Sequence, residues 1–229
     1  MRTVIITGAS GNLGMAVTRH LLDNGYRVIA TVATEPEKKN FTAFDQADVQ
    51  VVNLMQEEES YAFVQSNIEK YGKIDAALLL VGGFTAGNIA ATSGADLRKQ
   101  FALNFETAYF VSRPLFQHML DMNCGRIVYI GARPALVADQ GHSLLAYSLS
   151  KSLLFKLAEY LNAEVKGKNV SVGVVVPSTL DTALNRKSMP DADPENWVKP
   201  EQLAEILEFI VSEKGNALRE TVLKVYNNA

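Results

Sequence analysis

Two residues spaced four positions apart, Tyr147 and Lys151, could together carry out proton transfer. On a helix, residues with this spacing project from the same face, so the phenol and the ammonium would point into the same space. A nearby ammonium favours the phenolate and lowers the phenol pKa from about 10 toward working pH. A phenol tuned in this way can protonate a carbonyl oxygen. The sequence therefore predicts Tyr147 as an acid and Lys151 as the group that tunes it.

A glycine-rich segment near the beginning of the chain could bind a nucleotide. Residues 3–14 read Thr-Val-Ile-Ile-Thr-Gly-Ala-Ser-Gly-Asn-Leu-Gly, which is an apolar run, a turn and then helix-forming residues. A strand–turn–helix of this kind holds a dinucleotide pyrophosphate on backbone N–H groups, although it can also be a simple tight connection. Neither this segment nor the Tyr–Lys spacing is specific alone. Together they predict carbonyl reduction with a nicotinamide dinucleotide.

The composition excludes several other classes of function. The 229 residues are 48% hydrophobic and 21% charged, with a formal net charge of −3, which is typical of one globular domain over residues 1–229. No basic tract suggests nucleic acid or an anionic membrane as a partner, and no apolar run approaches the roughly 18 residues that span a bilayer. A single cysteine and the lack of a signal-peptide pattern predict a cytoplasmic protein. Nothing in the sequence suggests a metal site.

Strand and helix signals alternate along the whole chain, and these elements must position the reactive residues. Apolar β-branched runs predict about seven strands that are buried on both faces of a parallel sheet. These runs are Thr3–Thr7, Arg27–Val32, Val49–Leu54, Ala76–Val81, Arg126–Gly131, Val170–Val176 and Thr221–Tyr226. Helix-period segments between them are Leu13–Asn24, Glu57–Tyr71, Gly94–Met122 (kinked at Pro114), Ala146–Lys166 and Glu201–Glu213. The alternation predicts an α/β fold, a doubly wound, Rossmann-like sheet with helices on both faces.

In such a sheet, ligands bind beyond the carboxyl ends of the strands. The rule predicts that six loops line one crevice: Gly8–Gly14, Val32–Glu35, Asn53-Leu54, Gly82–Gly87, Gly131–His142 and Pro177–Thr182. The longest irregular stretch, Pro177–Pro200, is predicted to be a lid over the substrate, with a fixed loop as the alternative. A small molecule is thus the expected partner.

These motifs together resemble the short-chain dehydrogenase/reductase family over essentially the whole chain. The family's Thr-Gly-x-x-x-Gly-x-Gly turn corresponds to residues 7–14, with the middle glycine one place early. Its Asn-Asn-Ala-Gly segment falls at residues 80–83, its catalytic Asn at Asn104, its Tyr-x-x-x-Lys pair at Tyr147 and Lys151, and its Pro-Gly-x-x-x-Thr at residues 177–182.

The resemblance implies roles for particular residues. Tyr147, Lys151 and Asn104 would be catalytic, with Asn104 holding a water in a proton relay behind Lys151. The residues expected to bind the cofactor, including those that would face the nicotinamide carboxamide, are Gly8, Ser10, Asn12, Leu13, Gly14, Asn53, Leu54, Gly82, Gly83, Tyr147, Lys151, Pro177, Thr179, Leu180 and Thr182. Asn53 would contact the adenine amino group, or serve only as a loop amide. Thr182 could instead cap the next helix.

A narrower resemblance, to quinonoid dihydropteridine reductases, lies in two segments. Residues 177–193 with Trp197 are similar to their lid, and Ala76–Gly87 is similar to them except that they carry Trp in place of Phe84. As in those enzymes, Ala132 stands where the family has a catalytic Ser, and alanine cannot donate a hydrogen bond. This favours a quinonoid or imine-like substrate. Ser143 could substitute for the missing Ser, or cap its helix.

The sequence leaves the choice between NAD and NADP open. NAD-selective folds place Asp or Glu after the second strand to bind the ribose 2′-OH, but here that place reads Thr31-Val32-Ala33-Thr34. The missing acid favours NADP by a small margin, although no Arg is offered to bind a 2′-phosphate.

Two further expectations concern activity and assembly. The main hypothesis is an NAD(P)H-dependent reductase acting on a small carbonyl, quinonoid or pterin-like compound. The alternative is a non-catalytic NAD(P)-binding redox sensor, suggested by the altered glycine turn and the absent Ser.

The long helices at 94–122 and 146–166 carry more apolar residues than one sheet-facing stripe requires. We therefore expect a homodimer or homotetramer formed through them.

Overall fold

The computed structural model describes residues 1–228, the side chains of Asn40 and Ala43 excepted, and shows one seven-stranded sheet. All strand pairs are parallel, in the order β3-β2-β1-β4-β5-β6-β7. The strands are β1 (Thr3–Thr7), β2 (Arg27–Val32), β3 (Asp48–Val51), β4 (Ala76–Leu79), β5 (Gly125–Ile130), β6 (Val170–Pro177) and β7 (Val222–Val225). The predicted doubly wound α/β class is confirmed.

Helices cover both faces of the sheet. They are α1 (Asn12–Asp23), α2 (Glu35–Lys39), α3 (Glu57–Tyr71), α4 (Gly94–Phe101), α5 (Thr107–Asp121), α6 (Ala138–Gly141), α7 (Leu145–Glu164), α8 (Ala183–Ser188) and α9 (Pro200–Val211). Side chains from α3, α5 and α7 form one core against the sheet. Side chains from α1 and α9 form the other. Among the described residues no helix is long and apolar enough to cross a membrane.

The boundaries of most elements match the sequence prediction within a few residues. Strands β1 and β2 and helix α3 have the predicted limits, whereas β3 and β4 end three and two residues early. The segment Pro177–Pro200 is less irregular than predicted, because it contains α8 and a 3₁₀ turn at Pro194–Asn196.

The predicted long helix at 94–122 is interrupted at its first third. A π-helical turn, Ala102–Glu106, separates α4 from α5 and contains the fully buried Asn104. Helix α5 runs through Pro114, where the sequence predicts the kink. The irregularity thus lies at the polar residue, and π-turns of this kind are frequent at functional sites.

The strand order positions the crevice. Strand β1 pairs with β2 on one side and with β4 on the other, so the chain reverses its winding direction between these neighbours. In an open parallel sheet, this switch point opens a crevice beyond the carboxyl ends of the strands. Thr7 and Leu79 end their strands at that edge.

Candidate active site

The turn between β1 and α1 requires glycine at two positions. Gly8 has φ +65°, in the left-handed region, and packs against the backbone of Val81 in the loop after β4. A Cβ on Gly14 would lie 2.4 Å from the carbonyl oxygen of Gly8 and 2.6 Å from the Cα of Ala9. Because Gly14 is in the first turn of α1, its lack of a side chain lets the helix start directly against the turn. The N-terminus of α1 therefore faces the crevice.

A cavity of about 310 Å³ opens beside this turn. It is lined by residues from the ends of β1, β2, β3 and β4, and among them are the predicted cofactor residues Gly8, Ser10, Asn53, Leu54 and Gly82. The side-chain oxygen of Asn53 accepts a hydrogen bond from the backbone N–H of Met55, so it also stabilises its own loop. Asn12, Leu13 and Gly14 form the first turn of α1 next to the cavity. A groove of mixed glycine, apolar and amide lining fits a nucleotide.

Tyr147 and Lys151 lie on the first two turns of α7, where Lys151 is buried and Tyr147 is half-buried. Burial raises the pKa of the Tyr147 phenol to about 12. Burial also lowers the pKa of the Lys151 ammonium to about 8. The Lys151 Nζ donates a hydrogen bond to the carbonyl oxygen of Ile130 at 2.9 Å. At neutral pH this arrangement keeps a proton on the phenol, as an acid requires.

The pKa of Tyr147 therefore differs from the sequence prediction, which has Lys151 lowering it. The cause is geometric. The Lys151 ammonium is hydrogen-bonded to the last residue of β5, and removal of the phenol from water is what raises the pKa of Tyr147. The tuning role of Lys151 stays a prediction.

Asn104 joins three elements by its side chain. Its Oδ1 accepts from the N–H of Gly83 at 2.8 Å, and its Nδ2 donates to the carbonyl of Gly83 at 3.0 Å. The same Nδ2 donates to Gln100 Oε1 at 2.8 Å and to Ser150 Oγ at 3.0 Å. Ser150 in turn donates to the carbonyl of Tyr147 at 2.7 Å. The network ties the loop after β4 to the beginning of α7, so Asn104 fixes where Tyr147 stands.

Gly82 borders both Asn104 and Lys151. A Cβ at Gly82 would lie 2.8 Å from Asn104 Oδ1 and 2.9 Å from Lys151 Nζ. The absent side chain therefore leaves these two polar atoms facing one small space. The predicted proton relay behind Lys151 would pass through this space. The role of Asn104 in holding a water there stays a prediction.

The Tyr147 ring has an aromatic neighbour, the exposed ring of Phe84. The ring of Phe84 is 64% exposed and stands at 65° to the Tyr147 ring, with the centroids 5.3 Å apart. Phe84 therefore does not pack in the core. Ala132 follows β5 and is buried, and its side chain has no hydrogen-bond donor. Ser143 is exposed and donates to the carbonyl of Gln140, while Leu144 occupies the N-cap of α7; capping by Ser143 is therefore wrong.

The segment after β6 contributes none of the residues that line the cavity. Pro177 ends β6, Leu180 pairs with Val198, and the carbonyl of Thr179 accepts from the N–H of Val198. Thr182 caps α8 by accepting from the N–H of Asn185, which is the alternative that the sequence allows. Trp197 is only 5% exposed, which places it in the core instead of over a substrate. The predicted nicotinamide contacts of Pro177, Thr179, Leu180 and Thr182 stay predictions.

Two polar residues of the site escape the sequence analysis. Gln100 is 2% exposed and bridges Asn104 to Thr85, to which its Nε2 donates at 2.9 Å. Its signal is its position one helical turn before Asn104. Glu37 lies in the cavity lining, two residues beyond Glu35. Its signal is an acidic residue one turn into the helix that follows β2.

The described residues fit a nicotinamide dinucleotide. The turn at Gly8–Gly14 would hold its pyrophosphate, the cavity its adenosine, and Lys151 its other ribose. When bound, such a cofactor supplies or accepts a hydride. Among the described residues no group of His, Cys, Asp and Glu could hold a metal ion.

Comparison with known proteins supports this assignment of the fold and chemistry. The family model described as short chain dehydrogenase matches residues 2–193. An acetoacetyl-CoA reductase of Acinetobacter sp. strain RA3849 is 28% identical over 229 residues, covering 93% of this chain and 92% of the relative. The 3-oxoacyl-(acyl-carrier-protein) reductase FabG of Salmonella typhimurium is 26% identical, covering 83% and 78% of the two chains.

Solved structures have the same fold. The structure described as ElxO with NADP bound superposes with a TM-score of 0.90 at 20% identity, covering 98% of this chain and 96% of the other. Ligand-free aldohexose dehydrogenase of Thermoplasma acidophilum superposes with a TM-score of 0.84 at 22% identity, covering 98% and 92%. The comparisons do not show the narrower dihydropteridine reductase subgroup.

Proposed function

The chain belongs to the short-chain dehydrogenase family of NAD(P)-dependent oxidoreductases, and from this premise we propose that it reduces a small planar, conjugated acceptor. The acceptor class is a quinonoid or imine-like ring. The observation that carries the proposal is the exposed Phe84 ring, which lies against the Tyr147 ring. In addition, Ala132 stands at the position where the resemblance to the family places a second hydrogen-bond donor.

The chain's own residues have distinct tasks in this reduction. Tyr147 gives its phenolic proton to the oxygen or nitrogen of the acceptor, and its high pKa keeps that proton available at neutral pH. Lys151, held at the end of β5, lies on the path by which the proton is replaced. Asn104 and Ser150 fix the beginning of α7. A redox sensor has no need of such a buried set of groups around a phenol, which argues against the sensor alternative.

The missing donor at Ala132 separates planar acceptors from the β-keto thioesters that the names of the relatives suggest. A ketone accumulates charge on one oxygen during reduction, so its transition state gains from two donors. A quinonoid ring spreads this charge over the conjugated system and needs less stabilisation at any one atom. The exposed Phe84 ring also provides an apolar face that a flat ring can contact.

A substrate panel tests the proposal. Oxidation of NADH and of NADPH is followed with quinonoid dihydropterin, a para-quinone, acetoacetyl-CoA and a simple ketone. We expect turnover of at least one conjugated ring compound, with a kcat/KM at least about 100-fold above that of either ketone substrate. Higher kcat/KM for acetoacetyl-CoA would contradict the assigned acceptor class. Tight cofactor binding without turnover of any compound would favour the sensor.

We also propose that the protein forms a homodimer through α5 and α7, because these helices expose apolar side chains. Tyr109 and Leu149 are 38% and 43% exposed, and Tyr160 is 67% exposed. Exposed apolar side chains on the surface of long helices are normally covered by a partner. Light scattering at micromolar concentration should give at least twice the 25.0 kDa chain mass. A monomer would contradict this assembly.

A further inference from the structure

The carboxylate of Glu37 lies where the adenosine end of the crevice meets the glycine turn. Its Oε2 accepts a hydrogen bond from Ser10 Oγ at 2.7 Å and another from the backbone N–H of Ala33 at 3.0 Å. Ser10 belongs to the turn after β1, and Ala33 follows β2. Glu37 thus bridges the two loops from the third residue of α2, and it lines the 310 Å³ cavity together with both.

Several observations show that this carboxylate is charged and held in place. Hydrogen bonding from Ser10, followed by that from Ala33, lowers the pKa of the Glu37 carboxyl below its ordinary value. The side chain is half-buried, whereas Glu35, Lys38 and Lys39 on the same helix are exposed. Among the described residues, both hydrogen bonds to the Glu37 carboxylate are accepted by Oε2, so Oε1 can still accept one from a ligand in the cavity that Glu37 lines.

The electrostatics of the cavity are one-sided. Among the described residues that line it, none is Lys or Arg, and Glu37 is the charged one. A fixed carboxylate accepts hydrogen bonds from hydroxyl groups, whereas it repels a phosphate dianion at the same place. The ribose of an adenosine that sits between the glycine turn and the end of β2 would present its 2′ substituent to this wall.

We infer that Glu37 makes the enzyme selective for NADH over NADPH, by accepting a hydrogen bond from the ribose 2′-hydroxyl and repelling a 2′-phosphate. This inference rests on the proposed function, because it requires that a nicotinamide dinucleotide binds in the crevice. The inferred preference for NADH is the opposite of the slight preference for NADP that the sequence alone indicates. The end of β2 has no acidic residue, and Glu37, one helical turn further along the chain, takes that role.

Binding measurements test the inference without any substrate. The dissociation constants of NADH and NADPH are measured by calorimetry for the wild type, for Glu37→Gln, and for Glu35→Gln as a matched control. The control removes the same charge from an exposed position of the same helix, outside the cavity lining. The same titrations with adenosine 5′-monophosphate and adenosine 2′,5′-bisphosphate isolate the 2′-phosphate from the nicotinamide.

The expected outcomes are distinct. The wild type should bind NADH at least about 10-fold more tightly than NADPH, and Glu37→Gln should reduce this ratio about 10-fold, chiefly by tightening NADPH. Glu35→Gln should leave the ratio within about 2-fold, because its charge is screened by solvent.

Three results would overturn the inference. They are a wild type that prefers NADPH, a Glu37→Gln variant with an unchanged ratio, and a variant that weakens both cofactors equally, since the last would mean that Glu37 only holds the two loops together. If neither cofactor bound to the wild type or to Glu35→Gln, the proposed function itself would fail, and the inference with it.

Discussion

The rings of Phe84 and Tyr147 meet edge to face, with centroids 5.3 Å apart, although Phe84 lies in the loop after β4 and Tyr147 on helix α7. Backbone pairing supports this contact: the N–H of Gly87 donates to the carbonyl of Ser143, and the N–H of Leu145 donates to the carbonyl of Gly87. The loop after β4 is therefore attached to the beginning of α7. An exposed aromatic ring is held directly beside the phenol that we assign as the acid.

Phe84→Ala should weaken substrate binding more than catalysis. Loss of one face of an aromatic contact, worth roughly 1–2 kcal/mol, should raise the KM for a planar acceptor about 10-fold while kcat changes less. Phe84→Trp should retain activity. Tyr61→Ala, which removes an exposed aromatic side chain from α3, is the control and should have no effect. Unchanged KM in Phe84→Ala would show that substrate does not contact this ring.

Gln100→Leu should reduce turnover without changing cofactor affinity. The substitution removes the partner of Asn104 Nδ2 and of the Thr85 hydroxyl in a buried network, so we expect a loss of about 1–3 kcal/mol in the free energy of unfolding. Because Asn104 is attached to α7 through Ser150, we also expect kcat to fall about 10-fold. Gln117→Leu, on an exposed position of α5, is the control. A variant that is less stable but keeps the full kcat would show that this hydrogen-bond network does not contribute to catalysis.

Lys151→Met should stabilise the protein at neutral pH while it abolishes activity. The pKa of Lys151 is about 8 in the fold and 10.5 ordinarily, so between these pH values the unfolded chain binds more protons. The cost of burying the ammonium is fully present below pH 8 and disappears as the pH rises toward 10.5. Removing the charge should therefore gain roughly 1–2 kcal/mol at pH 7, after the loss of the hydrogen bond to Ile130.

Thermal unfolding of this variant at two pH values checks the sign. The gain in Tm at pH 7 should shrink above pH 10. Lys156→Met, which removes an exposed lysine from the same helix, is the control and should change stability by less than about 0.5 kcal/mol at both pH values. A variant that is less stable than the wild type at pH 7 would contradict the assigned cost of the buried ammonium.

The segment Pro177–Pro200 should become harder to cleave when cofactor is bound. We propose that α8 closes over the substrate, with Arg186 bonded to Asp181 at its base. Saturating reduced cofactor should slow trypsin cleavage at Arg186 and Lys187 at least about 5-fold, because ordering a segment lowers the population of its open state. Cleavage at Lys166, in the exposed loop after α7, is the control. Equal rates with and without cofactor would indicate a fixed loop.

Elements that depend on local pattern are predicted well from the sequence. Strand β2 has its predicted limits because four of its six residues are β-branched and a glycine turn precedes them. The glycine turn at Gly8 is also local, since φ +65° lies in the left-handed region that favours glycine. For the same reason, Tyr147 and Lys151 fall on one helix face as their spacing predicts.

Features that depend on distant contacts are not predictable in this way. The π-turn at Asn104 accompanies bonds to Gly83 and Ser150, which are remote in sequence. Trp197, which the sequence groups with the lid, is buried because the segment around it is attached to Asn227 and Leu180. Glu37 reaches the cavity only because α2 turns its carboxylate back toward Ser10.

The Tyr147→Phe variant tests the central claim most directly. The substitution removes one hydroxyl from a half-buried ring and leaves the Phe84 contact and the nucleotide cavity in place. NADH affinity, measured by calorimetry, should be unchanged within about 2-fold, and kcat on the best acceptor of the panel should fall at least about 100-fold, as expected for loss of a general acid. Unchanged turnover with unchanged cofactor affinity would contradict the assignment of Tyr147 as the proton donor.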